Sequence, residues 1–339
     1  HPYVGCASGC EFCYARGGRY LGRRDPATFD SLIRVKTNTV ELLRQALPGL
    51  ARDVIACGDW QQPAEGQYRL SRQMLKVVHE LDFPLFIVER SPLLTRDLDL
   101  LTAINQQSWV GVVLSISSLD PALKRAFEPR SPGVKQRLRA MAQLADAGVL
   151  VGTGLMPVLP FVGDAPEQLE DVIKATKDHG GTFVMSGGLT MEGVQAQRTL
   201  AAARRLDPTL EPHWRKLYHW ETDGKPTYSP PRAYSVRLGL RVRELCAKHD
   251  LLDRMPRYIP PGPLAVNKRV AERLFLKTYD LELEGARDYR IWASRKAAWT
   301  VDEHPDSIAA LYESKGEAGL RQLPHIGKKL GAHIAAWLR

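Results

Sequence analysis

Short apolar runs alternate with amphipathic stretches over the first half of the chain. Runs rich in Val, Ile, Leu and Phe have the length of buried strands and occupy Val54–Cys57, Leu85–Val88, Val110–Ile116, Leu150–Met156 and Thr182–Met185. Between or before them, helices are predicted over Thr39–Leu47, Gln67–Leu81, Leu94–Ile104, Gly133–Ala147 and Ala165–Lys177. This alternation predicts an α/β fold with a parallel sheet, open or barrel-like.

The second half of the chain is predicted to be helical. An aromatic and proline-rich stretch from Asp207 to Pro231 is expected to be ordered, and a helix follows over Ala233–His249. After Pro256–Pro263, helical patterns cover Asn267–Tyr279, Ala286–Ala298, Ser307–Lys315 and Lys329–Leu338. These boundaries predict an α/β core over residues 1–206, an excursion over 207–263 and a helical domain over 264–339. We expect the tryptophans of that domain (Trp292, Trp299 and Trp337) to lie in its core, and platforms on which bases stack are the alternative.

Charge favours an anionic partner. The 339 residues include 47 Lys and Arg against 38 Asp and Glu, a formal net charge of +9. The excess concentrates in Lys124–Arg139 and in Arg321–Arg339, although either segment could instead be a solvated helix face. We expect no transmembrane helix, because no apolar run reaches about 18 residues.

Three of the five cysteines lie within eight residues, in the order Cys6-Ala-Ser-Gly-Cys10-Glu-Phe-Cys13. An odd number of cysteines with one tight cluster suits a metal site in a reducing cytoplasm better than a disulfide framework. Three thiolates at this spacing can hold three irons of a cubic iron–sulfur cluster and leave the fourth iron open. Zinc is the alternative, and it would need His1 as a fourth ligand.

This loop, with Tyr14 directly after it, resembles the signature of the radical S-adenosylmethionine superfamily. The resemblance implies a partial (β/α)6 barrel, here followed by an α-helical domain. It also implies a [4Fe–4S] cluster on Cys6, Cys10 and Cys13, whose open iron binds S-adenosylmethionine and whose electron generates a 5′-deoxyadenosyl radical. Tyr14 would contact the adenine. Since such a loop follows a strand and Cys6 lies near the start, we expect the natural chain to begin earlier.

Further stretches resemble the spore photoproduct lyase branch of that superfamily: His1–Cys6, Gln62–Glu65, Ser91–Leu100, Leu114–Ser117, Glu128–Arg130 and Met156–Pro160. This resemblance implies that four more residues contact the cofactor or hold a neighbour that does so, namely Asp59, Arg90, Ser115 and Glu128. Each could instead be structural. Glu128 could pair with Arg130, and Arg96 with Asp97 could be a plain surface pair.

Cys57 ends a predicted strand and matches the place of a cysteine that, in spore photoproduct lyases, returns a hydrogen atom to the product radical. The resemblance therefore implies a catalytic role for Cys57, provided that its side chain faces the cluster. A small buried apolar residue is the alternative. Phe12 stands where the lyases have a tyrosine, and their substrate-binding C-terminal region is not recognisable here.

The segment Leu323–Ile334 resembles a helix–hairpin–helix motif, in which backbone amides and the following helix bind a phosphate. Gly327, Lys328 and Lys329 would contact nucleic acid there, and Lys124, Arg125 and Arg130 would do so in the earlier basic segment. His325 replaces the usual first glycine of the motif. A protein-interaction hairpin or a plain helical cap is the alternative.

Together these features predict a cytoplasmic, lyase-like radical enzyme that abstracts hydrogen from nucleic acid, in DNA lesion repair or base modification. Electrons would come from an external ferredoxin or flavodoxin, because the remaining cysteines are too isolated for a second cluster. Two alternatives remain: the same chemistry on RNA, a peptide or a small metabolite, or a non-catalytic, metal-stabilised DNA-binding protein.

Overall fold

The computed structural model describes residues 1–58 and 60–339, which form two compact units, His1–Pro256 and Arg257–Arg339. Each unit has a buried apolar core of its own. The finer division into three parts, at residues 206 and 263, stays a prediction. The strands all lie in the first unit: β1 Tyr3–Val4, β2 Arg34–Val35, β3 Ile55–Gly58, β4 Leu85–Glu89, β5 Val110–Ser115, β6 Leu150–Val158 and β7 Val184–Gly188.

Strands β3 to β7 form a five-stranded parallel sheet in sequence order, which confirms the α/β fold. Side chains alternate between its two faces because successive residues of a strand point in opposite directions. Ile87, Val112 and Leu114 belong to the core packed under the helices. Ser115 and Met156 instead line a cavity on the opposite face. The sheet therefore separates an apolar helical layer from an open concave side, as in a partial barrel.

The helices of the first unit are α1 Gly18–Leu21, α2 Thr39–Ala46, α3 Glu65–Tyr68, α4 Leu70–Glu80, α5 Leu98–Gln107, α6 Pro121–Phe127, α7 Val134–Asp146, α8 Pro166–Asp178, α9 Gly193–Leu206, α10 Leu210–Leu217, α11 Trp220–Asp223 and α12 Arg232–Lys248. Helices α4, α5, α7, α8 and α12 contribute buried residues to the core on the outer face of the sheet.

A second apolar cluster joins the cysteine loop to the aromatic segment that follows α9. Cys10 and Phe12 pack in one cluster with Phe127 and the fully buried Trp214 of α10. The indole of Trp214 donates a hydrogen bond to the carbonyl of Pro160 at 2.9 Å. The aromatic stretch is therefore ordered, and its helices support the loop that carries the cysteines.

The second unit consists of α13 Ala265–Leu283, α14 Asp288–Asp302, α15 Ile308–Leu320, which is interrupted at Gly316, and α16 Lys328–Leu338. Buried Asn267 fixes the α14–α15 connection by donating to the carbonyls of His304 and Asp306 and accepting from the amide of Ile308. The helical C-terminal region predicted from sequence is confirmed. No helix among the described residues has the length and apolar character needed to cross a membrane.

Three local predictions were wrong. The helix predicted over Gln67–Leu81 is broken at Arg69, which adopts a left-handed conformation with φ 50°. Helices α6 and α9 were not predicted: α6 lies between β5 and β6, and α9 follows β7. Trp292 and Trp299 are not core residues, because 47% and 42% of their surfaces are exposed.

Candidate active site

The cysteine loop lies at the concave side of the sheet. Cys6, Cys10 and Cys13 all line one cavity of about 370 Å3. The amide of Cys6 donates to the carbonyl of Phe29 at 3.0 Å, and those of Gly9 and Cys13 donate to the carbonyls of Cys6 and Cys10 at 3.2 Å. Gly5 has φ 90°, and a Cβ there would approach the carbonyl oxygen of Phe29 to 2.6 Å. The turn into the loop therefore requires glycine at this position.

Two buried polar side chains hold this loop in place. The amide of Gln62 donates to the carbonyl of Gly5 at 2.9 Å, and its oxygen accepts from the backbone of Ala7 at 3.4 Å, so one side chain brackets Cys6. Arg16, which is 1% exposed, donates to the carbonyl of Cys10 at 3.4 Å and pairs with Asp30 at 3.3 Å. Neither Gln62 nor Arg16 was predicted as a site residue, because neither lies on the apolar face of a predicted helix or strand.

The loop suits a cubic cluster better than a single ion. Among residues 1–58 and 60–339, no three His, Cys, Asp or Glu side chains are gathered closely enough to coordinate one metal ion. Thiolates that bind separate corners of a cube stand further apart than the ligands of one zinc ion. His1 is engaged elsewhere, since its Nδ1 lies 3.0 Å from the carbonyl oxygen of Gly58. The three cysteines facing one cavity therefore fit an iron–sulfur cluster.

A buried charge network borders the cysteines. Glu128 lies between two arginines, with Oε1 2.5 Å from Nη1 of Arg90 and Oε2 2.5 Å from Nη2 of Arg137. Burial favours the protonated acid, but Arg90 and Arg137 outweigh it and lower the pKa of Glu128 to about 2. The Arg90 guanidinium also lies 5.4 Å from the ring centroid of Phe12. Glu128 thus fixes a permanent cation at the cavity wall.

The charge of Arg90 also affects Cys10. Burial raises the pKa of the Cys10 thiol to about 11, and the positive charge of Arg90 acts in the opposite direction.

Arg137 was also missed as a site residue. The sequence did indicate it, because Arg137 lies at helical spacing from Val134, Leu138 and Met141 and therefore on the apolar face of α7. The alternative pairing of Glu128 with Arg130 is wrong, since Arg130 pairs with Asp30.

The remaining cavity wall comes from the ends of the strands. Ser115 is the last residue of β5, and its carbonyl accepts a hydrogen bond from Arg137 at 2.9 Å. Tyr14 is 56% exposed at the cavity and makes an edge contact with Tyr20. Gly187 and Gly188 of β7 also line the cavity and, lacking side chains, leave its interior open there. Carboxyl ends of parallel strands are the usual binding edge of α/β folds. Asp59 lies outside the described residues.

Cys57 requires a correction. It pairs in register with Ile87, and both side chains belong to the apolar core under the helices. The next residue, Gly58, lines the cavity, so the alternation of the strand turns Cys57 away from it. The expectation that this thiol faces the cluster is therefore wrong. Strand length and position were readable from sequence, but the face was not.

Arg96 and Asp97 are not a plain surface pair. Asp97 and Glu65 are fully buried, and Arg96 donates to both at 2.8 Å. Glu65 also accepts from the hydroxyl of Tyr3 at 2.5 Å. Because Tyr3 lies in β1, just before the cysteine loop, this network connects β1 to the segment that follows β3.

The residues predicted to bind nucleic acid fall in both units. In the first unit, Lys124 donates to the carbonyl of Pro129 at 3.2 Å, Arg125 is exposed and Arg130 is committed to Asp30. In the second unit, Gly327 precedes α16 and Lys328 and Lys329 are exposed in its first turn. Their contact with nucleic acid stays a prediction.

Comparisons with known proteins agree with this geometry. Residues 1–175 match the model of the Radical SAM superfamily. An uncharacterized protein of Mycobacterium tuberculosis (strain ATCC 25618 / H37Rv) is 32% identical over 280 residues, 80% of this chain and 80% of that protein. Another, from Methanocaldococcus jannaschii, is 28% identical over 178 residues, 52% of this chain and 64% of that protein.

Solved structures share the fold. Spore photoproduct lyase complexed with dinucleoside spore photoproduct superposes with a TM-score of 0.52 at 17% identity, over 73% of this chain and 72% of that chain. Family membership makes the protein an enzyme, so the non-catalytic alternative is wrong. Proteins of this family use a [4Fe–4S] cluster and S-adenosylmethionine, and the three cysteines at one cavity fit that pair. The chain belongs to the Radical SAM superfamily.

Proposed function

We propose that the protein abstracts a hydrogen atom from a nucleic-acid substrate, in repair of a DNA lesion or modification of a base. The observation that carries the radical chemistry is the cavity in which Cys6, Cys10 and Cys13 meet the buried cation of Arg90. When bound, the cluster and S-adenosylmethionine together supply the 5′-deoxyadenosyl radical. Electrons come from an external donor such as ferredoxin or flavodoxin.

The chain's own residues bind and orient the cofactor. Arg90 offers a guanidinium suited to bidentate contact with a carboxylate, and Glu128 with Arg137 holds it in place. Ser115 and Tyr14 provide a polar and an aromatic contact on other sides of the cavity. Buried Phe12 and Leu189 contribute apolar surface that keeps water from the reacting atoms.

Two facts support a nucleic-acid substrate. The chain carries a formal net charge of +9, which favours a polyanion. It also shares its fold with a lyase solved together with a dinucleoside photoproduct. Cys57 is not proposed as the hydrogen donor, because it faces the helical layer. Cys246 is also buried in that layer. Of the five cysteines, Cys6, Cys10 and Cys13 therefore line the cavity and the other two belong to the apolar core.

The test is an anaerobic reaction of the reconstituted protein with dithionite, S-adenosylmethionine and ultraviolet-irradiated DNA. We expect 5′-deoxyadenosine and altered bases that form only when the nucleic acid is present. Unirradiated DNA and RNA serve as parallel substrates, and a Cys10→Ala variant serves as the control without a cluster. Cofactor cleavage that is indifferent to all nucleic acids would overturn the proposed substrate and leave a peptide or a small metabolite.

A further inference from the structure

The second unit exposes an aromatic stripe on α14. Tyr289, Trp292 and Trp299 are 67%, 47% and 42% exposed, and the two tryptophan rings lie 6.2 Å apart at 57°. With about 3.6 residues per turn, these positions and exposed Lys296 share one face of the helix. The buried residues of α14, among them Ile291 and Ala298, lie on the opposite face. The stripe is therefore surplus to the core of this unit.

A cationic cluster lies beside the start of this stripe. We define it by five residues on α13, α14 and α16: Arg273, Lys277, Arg290, Lys329 and His333. The ammonium of Lys277 lies 2.9 Å from Nδ1 of His333, and His333 stacks on Trp337 with ring centroids 6.2 Å apart. Arg273 covers the same indole at 5.7 Å. Helices α13 and α16 thus present paired basic and aromatic side chains.

The positive charges of this cluster act on one another. Burial, with the charges of Lys329 and Arg290, lowers the pKa of Lys277, and no carboxylate acts to raise it. Burial, Lys277 and Lys329 likewise lower the pKa of His333. Among the described residues, none of the five makes an ion pair with an acid, whereas Arg295 nearby pairs with Glu282. An anion would relieve this mutual repulsion.

The two features are continuous through Arg290. It lies in the same turn of α14 as Tyr289 and Trp292, and α14 packs against α13, which carries Arg273 and Lys277. Phosphates would meet the cationic cluster while bases stack on the exposed rings. A duplex hides its base faces, so the aromatic stripe suits unpaired nucleotides. The four basic side chains other than His333 favour a polyanion over an uncharged protein surface.

We propose that the cationic cluster and the α14 stripe form a binding surface for single-stranded nucleic acid, with phosphates at Lys277 and Lys329 and bases on Tyr289 and Trp292. This surface shares Lys329 with the phosphate site predicted at Gly327 and extends beyond it, since it adds side chains of α13 and α14. The proposal rests on the proposed function, because it supplies a second contact for the same class of substrate.

The test uses the full-length protein and a fluorescently labelled DNA strand of about 12 nucleotides, followed by anisotropy. Trp292→Ala should weaken binding of the single strand about 10-fold, since one stacked base is lost. Lys329→Ala should reduce the slope of log K against log salt by about 0.7, the contribution of one phosphate contact. A strand of abasic sugar–phosphate should be insensitive to Trp292→Ala yet sensitive to Lys329→Ala.

Two control variants each remove a side chain of the same type, one lysine and one aromatic ring, from outside the proposed surface. Lys315→Ala deletes an exposed lysine of α15, and Tyr68→Ala deletes a partly exposed ring of the first unit. Both should bind as the wild type does. Thermal melting confirms that every variant is folded.

Three results would overturn the proposal: no single-strand binding by the wild type, wild-type affinity in Trp292→Ala and Lys329→Ala, or equal effects of Trp292→Ala on single strand and duplex. The proposed function fails separately, if the wild type cleaves S-adenosylmethionine without regard to nucleic acid. That assay is run on the same samples, so the two failures are distinguishable.

Discussion

Replacing Glu128 by glutamine should destabilise the first unit strongly, because its carboxylate pairs with the guanidiniums of both Arg90 and Arg137 in the interior. The pKa of Glu128 falls from 4.5 to about 2 on folding. Each pKa unit corresponds to about 1.4 kcal/mol, so the ionised carboxylate contributes about 3 kcal/mol at neutral pH. Removing one partner from a buried ion pair destabilises other proteins by about 3–5 kcal/mol, a range that includes this value.

The pH dependence has a definite sign. A carboxyl group whose pKa is lowered by folding contributes stability that is complete above its unfolded pKa and is lost as the pH falls through its folded pKa. The stability difference between wild type and Glu128→Gln should therefore be full at pH 7. It should shrink as the pH is lowered from 4.5 towards 2.

The assay is anaerobic thermal melting followed by circular dichroism. A loss of about 3 kcal/mol should lower Tm by about 6–12 °C for a unit of this size. Asp178→Asn is the control, since it removes a carboxylate from an exposed pair with Lys174 and should leave Tm almost unchanged. The double variant Glu128→Gln with Arg137→Gln should recover part of the loss, because one stranded cation is gone. Equal Tm values for Glu128→Gln and Asp178→Asn would refute the reasoning.

Three further predictions follow from the cavity. Cys10→Ala should abolish binding of the cluster, measured as iron per chain and as visible absorption, whereas a cluster retained at wild-type iron content would contradict the ligand assignment. Cys57→Ala should keep the wild-type yield of 5′-deoxyadenosine and the same products, because the thiol faces the helical layer; new by-products detected by mass spectrometry would reinstate it as a donor. Gln62→Ala should accelerate loss of iron in a chelator challenge, since it frees the carbonyl of Gly5 and the amide of Ala7. Gln73→Ala, on exposed α4 surface, is its control and should lose iron at the wild-type rate.

Local chemistry was readable from the sequence where it depended on spacing. The Cys6–Cys13 loop, the five strand runs and the helical tail each rest on residues close together in the chain. The structure shows all three cysteines at one cavity and strands at the expected places, with ends that differ from the predicted ones by at most three residues. Turn geometry and strand length are set by neighbouring residues, so a single sequence reveals them.

Which side chains meet was decided by the tertiary structure. Cys57 was placed on the right strand and the wrong face, since a shift of one residue reverses every side chain of a strand. Glu128, Arg90 and Arg137 come from three separate elements, and nothing in their spacing announces a buried network.

The exposed tryptophans also show that burial could not be predicted from residue type alone. Trp292 and Trp299 have the composition of core residues, but the α14 face that packs against its neighbours is filled by smaller side chains such as Ile291 and Ala298. The sequence alone determined that this protein holds a cluster loop on an α/β scaffold. The tertiary structure decided which residues surround that loop and which stay on the surface, because burial depends on contacts between segments distant in the chain.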